Sequence, residues 1–241
     1  MTIDDGYEAG WPPLFPPLLT GREVAAGADP MATAVRVAAG GADPGAFVFA
    51  GGDEMLRFAV TLAPEVPLER ALQMVHALMI AVGDSIGALA PPEVAVEYRW
   101  PTTVLVNGAA AGRVRLAASG GDPAAVPDWL AIGLELRLSA DVSIEPGERP
   151  GETALYEEGS GVIPPARLLE SMSRHFLVWL RRWEEDGFRP LHDAWSARAE
   201  PGMTVGGAAF VGLDEEGRAL LKDAAATRAD PLSGHLEAAT P

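Results

Sequence analysis

The chain has 241 residues, 48% of them hydrophobic, and a formal net charge of −16. That length suits one sizeable domain with a small appendage. The charge argues against a nucleic-acid partner, because a phosphate backbone would be repelled. There is no cysteine, which excludes disulfides, thiolate metal sites and a cysteine nucleophile. Lysine occurs only at Lys222, so positive charge rests almost wholly on arginine, which stays protonated and is no amine nucleophile. The start, MTIDDGYEAG, is acidic and does not read as a signal peptide. No apolar run approaches the ~20 residues of a membrane span. A cytoplasmic protein without a membrane partner is the expectation.

In chain order, WPPLFPPLLTG (Trp11 to Gly21) is extended by its prolines. It reads as an arm laid over the domain, or as a proline-rich partner motif. A helix is expected over Met31 to Ala39, closed by Gly40-Gly41. Two strands follow, Ala46 to Ala50 and Leu56 to Leu62, joined by a short turn. In the second, Leu56, Phe58, Val60 and Leu62 share one side, and Arg57, Ala59 and Thr61 the other.

From Leu68 the period changes. Leu68, Leu72, Val75, Leu78, Val82 and Ile86 form the stripe of a long helix. Val94 to Arg99 predicts a strand, interrupted by Pro101. Asn107-Gly108 then predicts a tight hairpin. Trp129 to Leu138 alternates throughout and is the clearest strand. A helix from Ala166 to Asp186 carries Leu169, Met172, Phe176, Leu180 and Trp183, with Gly187 placed to end it. PLHDAWSARA predicts a shorter helix, and AAFVGLDEEGRALLK two short strands about an acidic turn. The tail after Ala224 reads as weakly structured. The fold class is α+β, with an arm over 1–30, a main domain over 31–199, and a small C-terminal β module and tail over 200–241.

EYRWPTTVLVNGAAAGRVRL, entered from the long helix, resembles the biotin-ligase segment K-W-P-N-D-x-x-x-N-G followed by K-x-A-G-I-L. DWLAIGLELRL is similar to that family's V-x-G-x-G-x-N strand, the final helices with their G-F and later W to its closing helices, and AFVGLDEEGRALLK to its C-terminal β module. The ordered set resembles the biotin/lipoate protein ligase family over most of Ala46 to Lys222. The resemblance implies a class II aminoacyl-tRNA synthetase/biotin ligase-like antiparallel sheet backed by helices, with the ligand on the far side. It also implies ATP and magnesium as cofactors wherever ligation is retained, and a biotinyl or lipoyl carrier domain as acceptor of the acyl group.

The departures fall on the chemistry. The motif lysine becomes Arg99, N-D becomes Thr102-Thr103, and the second lysine aligns with Ala109. Gly133 remains in the glycine strand, but Glu135 and Arg137 replace its second glycine and asparagine. Only Gly51 to Met55 stand where the lid loop would be, and the R-R-x-x-G-G-G loop of lipoate ligases is absent.

Alternation adds an independent pattern. With Phe58, Val96, Val114, Leu116, Leu134 and Leu136 against the helices, the opposite face receives Arg57, Glu97, Arg99, Arg113, Arg115, Glu135 and Arg137. That face is either a solvated surface of Arg–Glu pairs or a pocket for a small anionic ligand. Resemblance and alternation together place catalysis at Arg99. They place substrate binding at Trp100, Thr102, Thr103, Arg113, Arg115, Gly133, Glu135 and Arg137. Trp100 reads equally as a stacking wall or a core residue. The four histidines have no metal-ligand spacing, and no metal ligand is assigned. His192-Asp193 reads as a helix surface or an acid/base pair. The functional expectation is a diverged member that binds an acyl or adenylate-type ligand and hands an acyl group to a carrier lysine. The alternative is a catalytically silent binding or interaction protein. A pocket closed by Trp11 to Leu19 marks the first. An open face neutralised by Glu97 and Glu135 marks the second.

Overall fold

Seven period-two segments pair into one sheet: β1 (Thr20–Val24), β2 (Ala46–Ala50), β3 (Met55–Leu62), β4 (Val96–Arg99), β5 (Thr103–Val106), β6 (Ala109–Ala118) and β7 (Leu130–Arg137). Their spatial order is β1-β2-β3-β7-β6-β5-β4. The computed structural model describes residues 11–41, 44–52, 54–140, 148–149 and 151–238. Every neighbouring pair is antiparallel except β1 and β2. The chain leaves β1 through α1 (Pro30–Ala39) and returns in the same direction, the crossover that a parallel pair requires. The sheet is therefore mixed rather than antiparallel throughout.

Local chemistry explains the turns. Asp29 caps α1, its carboxylate accepting from the Met31 amide, and Pro30 opens the helix. Asn107 (φ 49°) and Gly108 (φ 85°) both take left-handed conformations between β5 and β6, the two-residue turn that suits strand twist. Gly187, at φ 73°, ends α4 (Pro165–Asp186).

α2 (Leu68–Ala71) and α3 (Met74–Leu89) follow β3. All residues of α3 from Met74 to Gly83 are buried, so this is a central helix rather than a one-sided stripe. Leu68–Leu89 is long and apolar enough for a membrane span by length and composition alone, but 78% of its most apolar 18-residue window is buried inside the fold. α4 covers α3 with Leu169, Met172 and Phe176 buried. Leu180 and Trp183 stay half-buried along a groove, and Trp179 takes a buried place instead. α5 (Arg189–Ser196) completes this layer with Leu191 and Trp195.

Beyond it lies a four-stranded antiparallel sheet of β8 (Thr204–Val205), β9 (Ala208–Leu213), β10 (Ala219–Lys222) and β11 (Thr227–Asp230), in the order β11-β10-β9-β8. The tail is more ordered than its composition suggested. After β11, Leu232 is buried in a 3-10 turn, and the Glu237 amide donates to the Leu116 carbonyl at 2.8 Å. The N-terminal Trp11 and Phe15 pack on Phe49 and Phe47, side chains that belong to the helix-side core.

Candidate functional site

Strand parity builds the site. Phe58, Val114, Leu116, Leu134 and Leu136 join the helix-side core, so Arg57, Arg113, Arg115, Glu135 and Arg137 fall on the opposite face. α1 covers part of that face, where Met31, Ala34 and Val35 pack on Ala59, Ala117 and Ala131. The rest, over β5, β6 and β7, holds a cleft of about 210 Å³. Thr103, Arg113, Glu135 and Arg137 line it, together with Gly112 and Glu152. Gly112 is required there: a Cβ would stand 2.6 Å from the Glu135 carbonyl oxygen.

The arginines are paired. Arg113 Nε donates to Glu135 at 2.8 Å, while its side chain stays 61% exposed. Arg137 meets Glu152 at 3.0 Å and donates to the Thr153 carbonyl. Arg115, only 16% exposed, meets Asp29, Glu135 and Glu237. The Glu237 bond is the main cause that raises the Arg115 pKa above its ordinary value. Glu135 serves two arginines, as the sequence anticipated, but Glu97 makes no ion pair among the described residues. Its expected role falls to Asp29, Glu152 and Glu237, all distant in sequence. No local signal marks them.

Four of the nine site residues named from sequence thus meet in the cleft, and Arg115 adjoins it through Glu135. The others have different settings. Arg99 reaches across the β4 edge to a two-point bond with Glu200, both contacts 2.6 Å, and does not line the cleft. Trp100 is 3% exposed on the helix side, its indole N–H donated to Asp230 at 2.7 Å; its core reading holds and no ring face is free for stacking. Thr102 lies in the turn before β5, its carbonyl accepting from the Val114 amide. Gly133 is buried beneath α1, where a Cβ would stand 2.7 Å from the Phe58 carbonyl oxygen and 3.4 Å from Met31 Sδ. Nor does Trp11 to Leu19 close the cleft, because Phe15 is anchored on the helix side.

The residues present do not fit a preformed magnesium site. Among the described residues no three Asp, Glu or His side chains converge as metal ligands, and Asp29, Glu135, Glu152, Glu200 and Glu237 are each engaged by arginine. Only Gly51 to Glu54 join β2 to β3, too few for a loop that folds over a nucleotide.

A helix-backed sheet with a partly open far face and a small C-terminal β module is the architecture of the biotin protein ligase class. A family model described as the biotin/lipoate A/B protein ligase family matches residues 15–197, and the chain belongs to that family. It is 29% identical over 184 residues to a biotin–[acetyl-CoA-carboxylase] ligase of Paracoccus denitrificans, covering 72% of this chain and 76% of that protein. A biotin protein ligase-like protein of unknown function from Silicibacter sp. TM1040 is 42% identical, with a TM-score of 0.87 over 93% of this chain and 99% of that one. Biotin protein ligase from Aquifex aeolicus shares the fold at 18% identity, with a TM-score of 0.70 over 88% and 96% of the two chains.

Proposed function

We propose that this family member binds a small acyl carboxylate or acyl-adenylate-type anion over β5, β6 and β7, with a carrier domain as the partner of the bound acyl group. The observation that carries the reading is Arg113, which lines the cleft, bonds Glu135 through Nε alone among the described residues, and keeps a side chain 61% exposed. A guanidinium fork of that kind matches a carboxylate or phosphate edge. Arg137, which also lines the cleft, carries a second positive charge, paired with Glu152. The Paracoccus relative, by its name a biotin–[acetyl-CoA-carboxylase] ligase, supports an acyl ligand and a carrier acceptor. Ligation itself is slow in this reading, because the motif lysines are replaced and Arg99 is committed to Glu200.

A second reading is a catalytically silent interaction protein. The observation favouring it is the internal neutralisation of Arg113, Arg115 and Arg137 by carboxylates. Thermal unfolding with octanoate, biotin and adenosine monophosphate at millimolar concentration separates the two. A bound anion at ten times its Kd stabilises by about 1.4 kcal/mol, or roughly 3–6 °C for a chain of this size. The rise should vanish when Arg113 and Arg137 are both changed to alanine. No rise with any of the three gives the second reading the lead.

A further inference from the structure

Arg115 already binds a carboxylate, and that carboxylate comes from the C-terminal segment. Its Nε donates to Glu237 Oε1 at 2.8 Å and its Nη2 to Oε2 at 2.7 Å. This is the two-point arrangement in which a guanidinium recognises any free carboxylate. The other two partners share a different nitrogen: Nη1 donates to Asp29 Oδ1 at 2.9 Å and Glu135 Oε1 at 3.1 Å. Asp29 is fixed as the cap of α1 and Glu135 lies within β7. Glu237 has a looser hold. It lies outside every named helix and strand, held by its amide on the Leu116 carbonyl and by Leu236, which packs against the core.

We propose that Arg115 joins Arg113 in holding the carboxylate of the acyl ligand of the neighbouring cleft, and that Glu237 fills the Arg115 position as a displaceable plug. The inference rests on the reading given under Proposed function and deepens it: the ligand is a free acyl carboxylate. Charge requires an exchange rather than an addition. A fourth carboxylate beside Asp29, Glu135 and Glu237 would be repelled, whereas replacing Glu237 leaves the local charge unchanged. Space points the same way. The cleft's 210 Å³ is below the ~300–1,000 Å³ of ordinary small-molecule sites. Glu135 joins the cleft's Arg113 directly to Arg115, so withdrawal of the tail extends the cleft along the sheet. A tethered carboxylate competes at an effective concentration in the millimolar range. A bare carboxylate therefore loses to the tail, while one whose acyl body also fills the cleft displaces it.

The test compares the full chain with Glu237→Gln, which keeps the side-chain size and the backbone bond. Octanoate is titrated by calorimetry, with octanamide as its neutral counterpart. Octanoate should bind at least ~10-fold more tightly to the variant, with octanamide indifferent to the change. In the wild-type chain, octanoate should also raise hydrogen exchange at the Glu237 amide, which remains informative even if the variant folds poorly. If octanoate binds the wild type but no more tightly to E237Q, and the Glu237 amide stays protected, Glu237 is a fixed clamp. The inference then falls while the anion-binding reading stands. If octanoate binds neither protein, both fall.

Discussion

Arg99 and Glu200 are joined at two points, Nε to Oε2 and Nη2 to Oε1, each 2.6 Å. The surrounding backbone is paired as well: the Tyr98 amide donates to the Arg198 carbonyl, and the Glu200 amide to the Tyr98 carbonyl. Residues 198 to 200 thus run along the edge of β4 and carry the chain into the C-terminal sheet. Arg99 acts as a clamp between these two parts.

The clamp has a measurable consequence. Arg99→Ala should lower stability by about 1 kcal/mol, between a surface pair and a buried charged hydrogen bond. The Arg99 bond holds the Glu200 carboxyl below its ordinary value. A depressed carboxylate pKa stabilises the fold above the unfolded value, 4.5 here, and that contribution is lost as pH falls below it. The difference between wild type and R99A in urea unfolding should therefore be present at pH 7 and shrink in acid. Equal midpoints at pH 7 would reduce the pair to a surface contact.

His76 provides a second pH-dependent element. It is buried among Trp100, Phe188 and Trp195, and its Nε2 is 2.9 Å from the carbonyl of Gly217, in the turn between β9 and β10. A carbonyl only accepts, so the proton sits on Nε2; Nδ1 has no partner among the described residues. Burial lowers the pKa from 6.5 to about 4. The unfolded chain therefore takes up a proton first as pH falls. The stability involved, on the order of 3 kcal/mol, is complete above about 6.5 and is lost as pH drops toward 4. His76→Phe should be less stable by about 1–2 kcal/mol at pH 7.5, because the Gly217 carbonyl loses its donor. Its stability should fall less steeply between pH 6.5 and 4. Parallel pH profiles for the two proteins would remove His76 as the source.

What the sequence made legible was local. Alternation placed Arg113, Arg115, Glu135 and Arg137 on one face, because parity survives any tertiary arrangement. The Asn107-Gly108 turn followed from the conformations those residues tolerate. The ion-pair partners were not legible: Glu200 and Glu237 lie 101 and 122 residues from their arginines, and no period connects them. β1 escaped notice because an edge strand reading TGREV, largely exposed, has no apolar alternation to show. Gly133 was read as a ligand contact; its missing Cβ makes room for the Phe58 carbonyl oxygen of β3, 2.7 Å from where it would stand. A glycine records a close approach without saying what approaches.

The turn itself can be tested. Gly108 sits at φ 85°, where a branched side chain costs about 1–2 kcal/mol. Gly108→Val should lower the unfolding free energy by that amount, and Gly108→Asn by clearly less. The Asn107 side chain secures the same corner, accepting from the Ala95 amide and donating to Glu158. Equal losses for the two Gly108 variants would show that the strain lies elsewhere.

The last prediction concerns chemistry. Exchange of labelled pyrophosphate into ATP, with biotin or lipoate present, should be at least ~100-fold slower than in a conventional ligase, about 2.7 kcal/mol of lost transition-state stabilisation. Three observations motivate it. Ala109, aligned by resemblance with the family's second motif lysine, has no side-chain charge to offer a developing negative charge. Arg99, aligned by resemblance with the first lysine, keeps a positive charge, but its Nε–Nη2 edge is bonded to Glu200. The β2–β3 connection, Gly51 to Glu54, is too short for the lid loop the resemblance implies, and preorganised donors supply much of the electrostatic stabilisation in acyl and phosphoryl transfer. Glu200→Gln should weaken the hold on Arg99 but leave Ala109 and the short connection as they are, so the variant should remain equally slow. Exchange at a conventional rate in the wild-type chain would mean that Arg113, Arg115 or Arg137 has taken over the lysines' work, and the proposed slow ligation would be withdrawn.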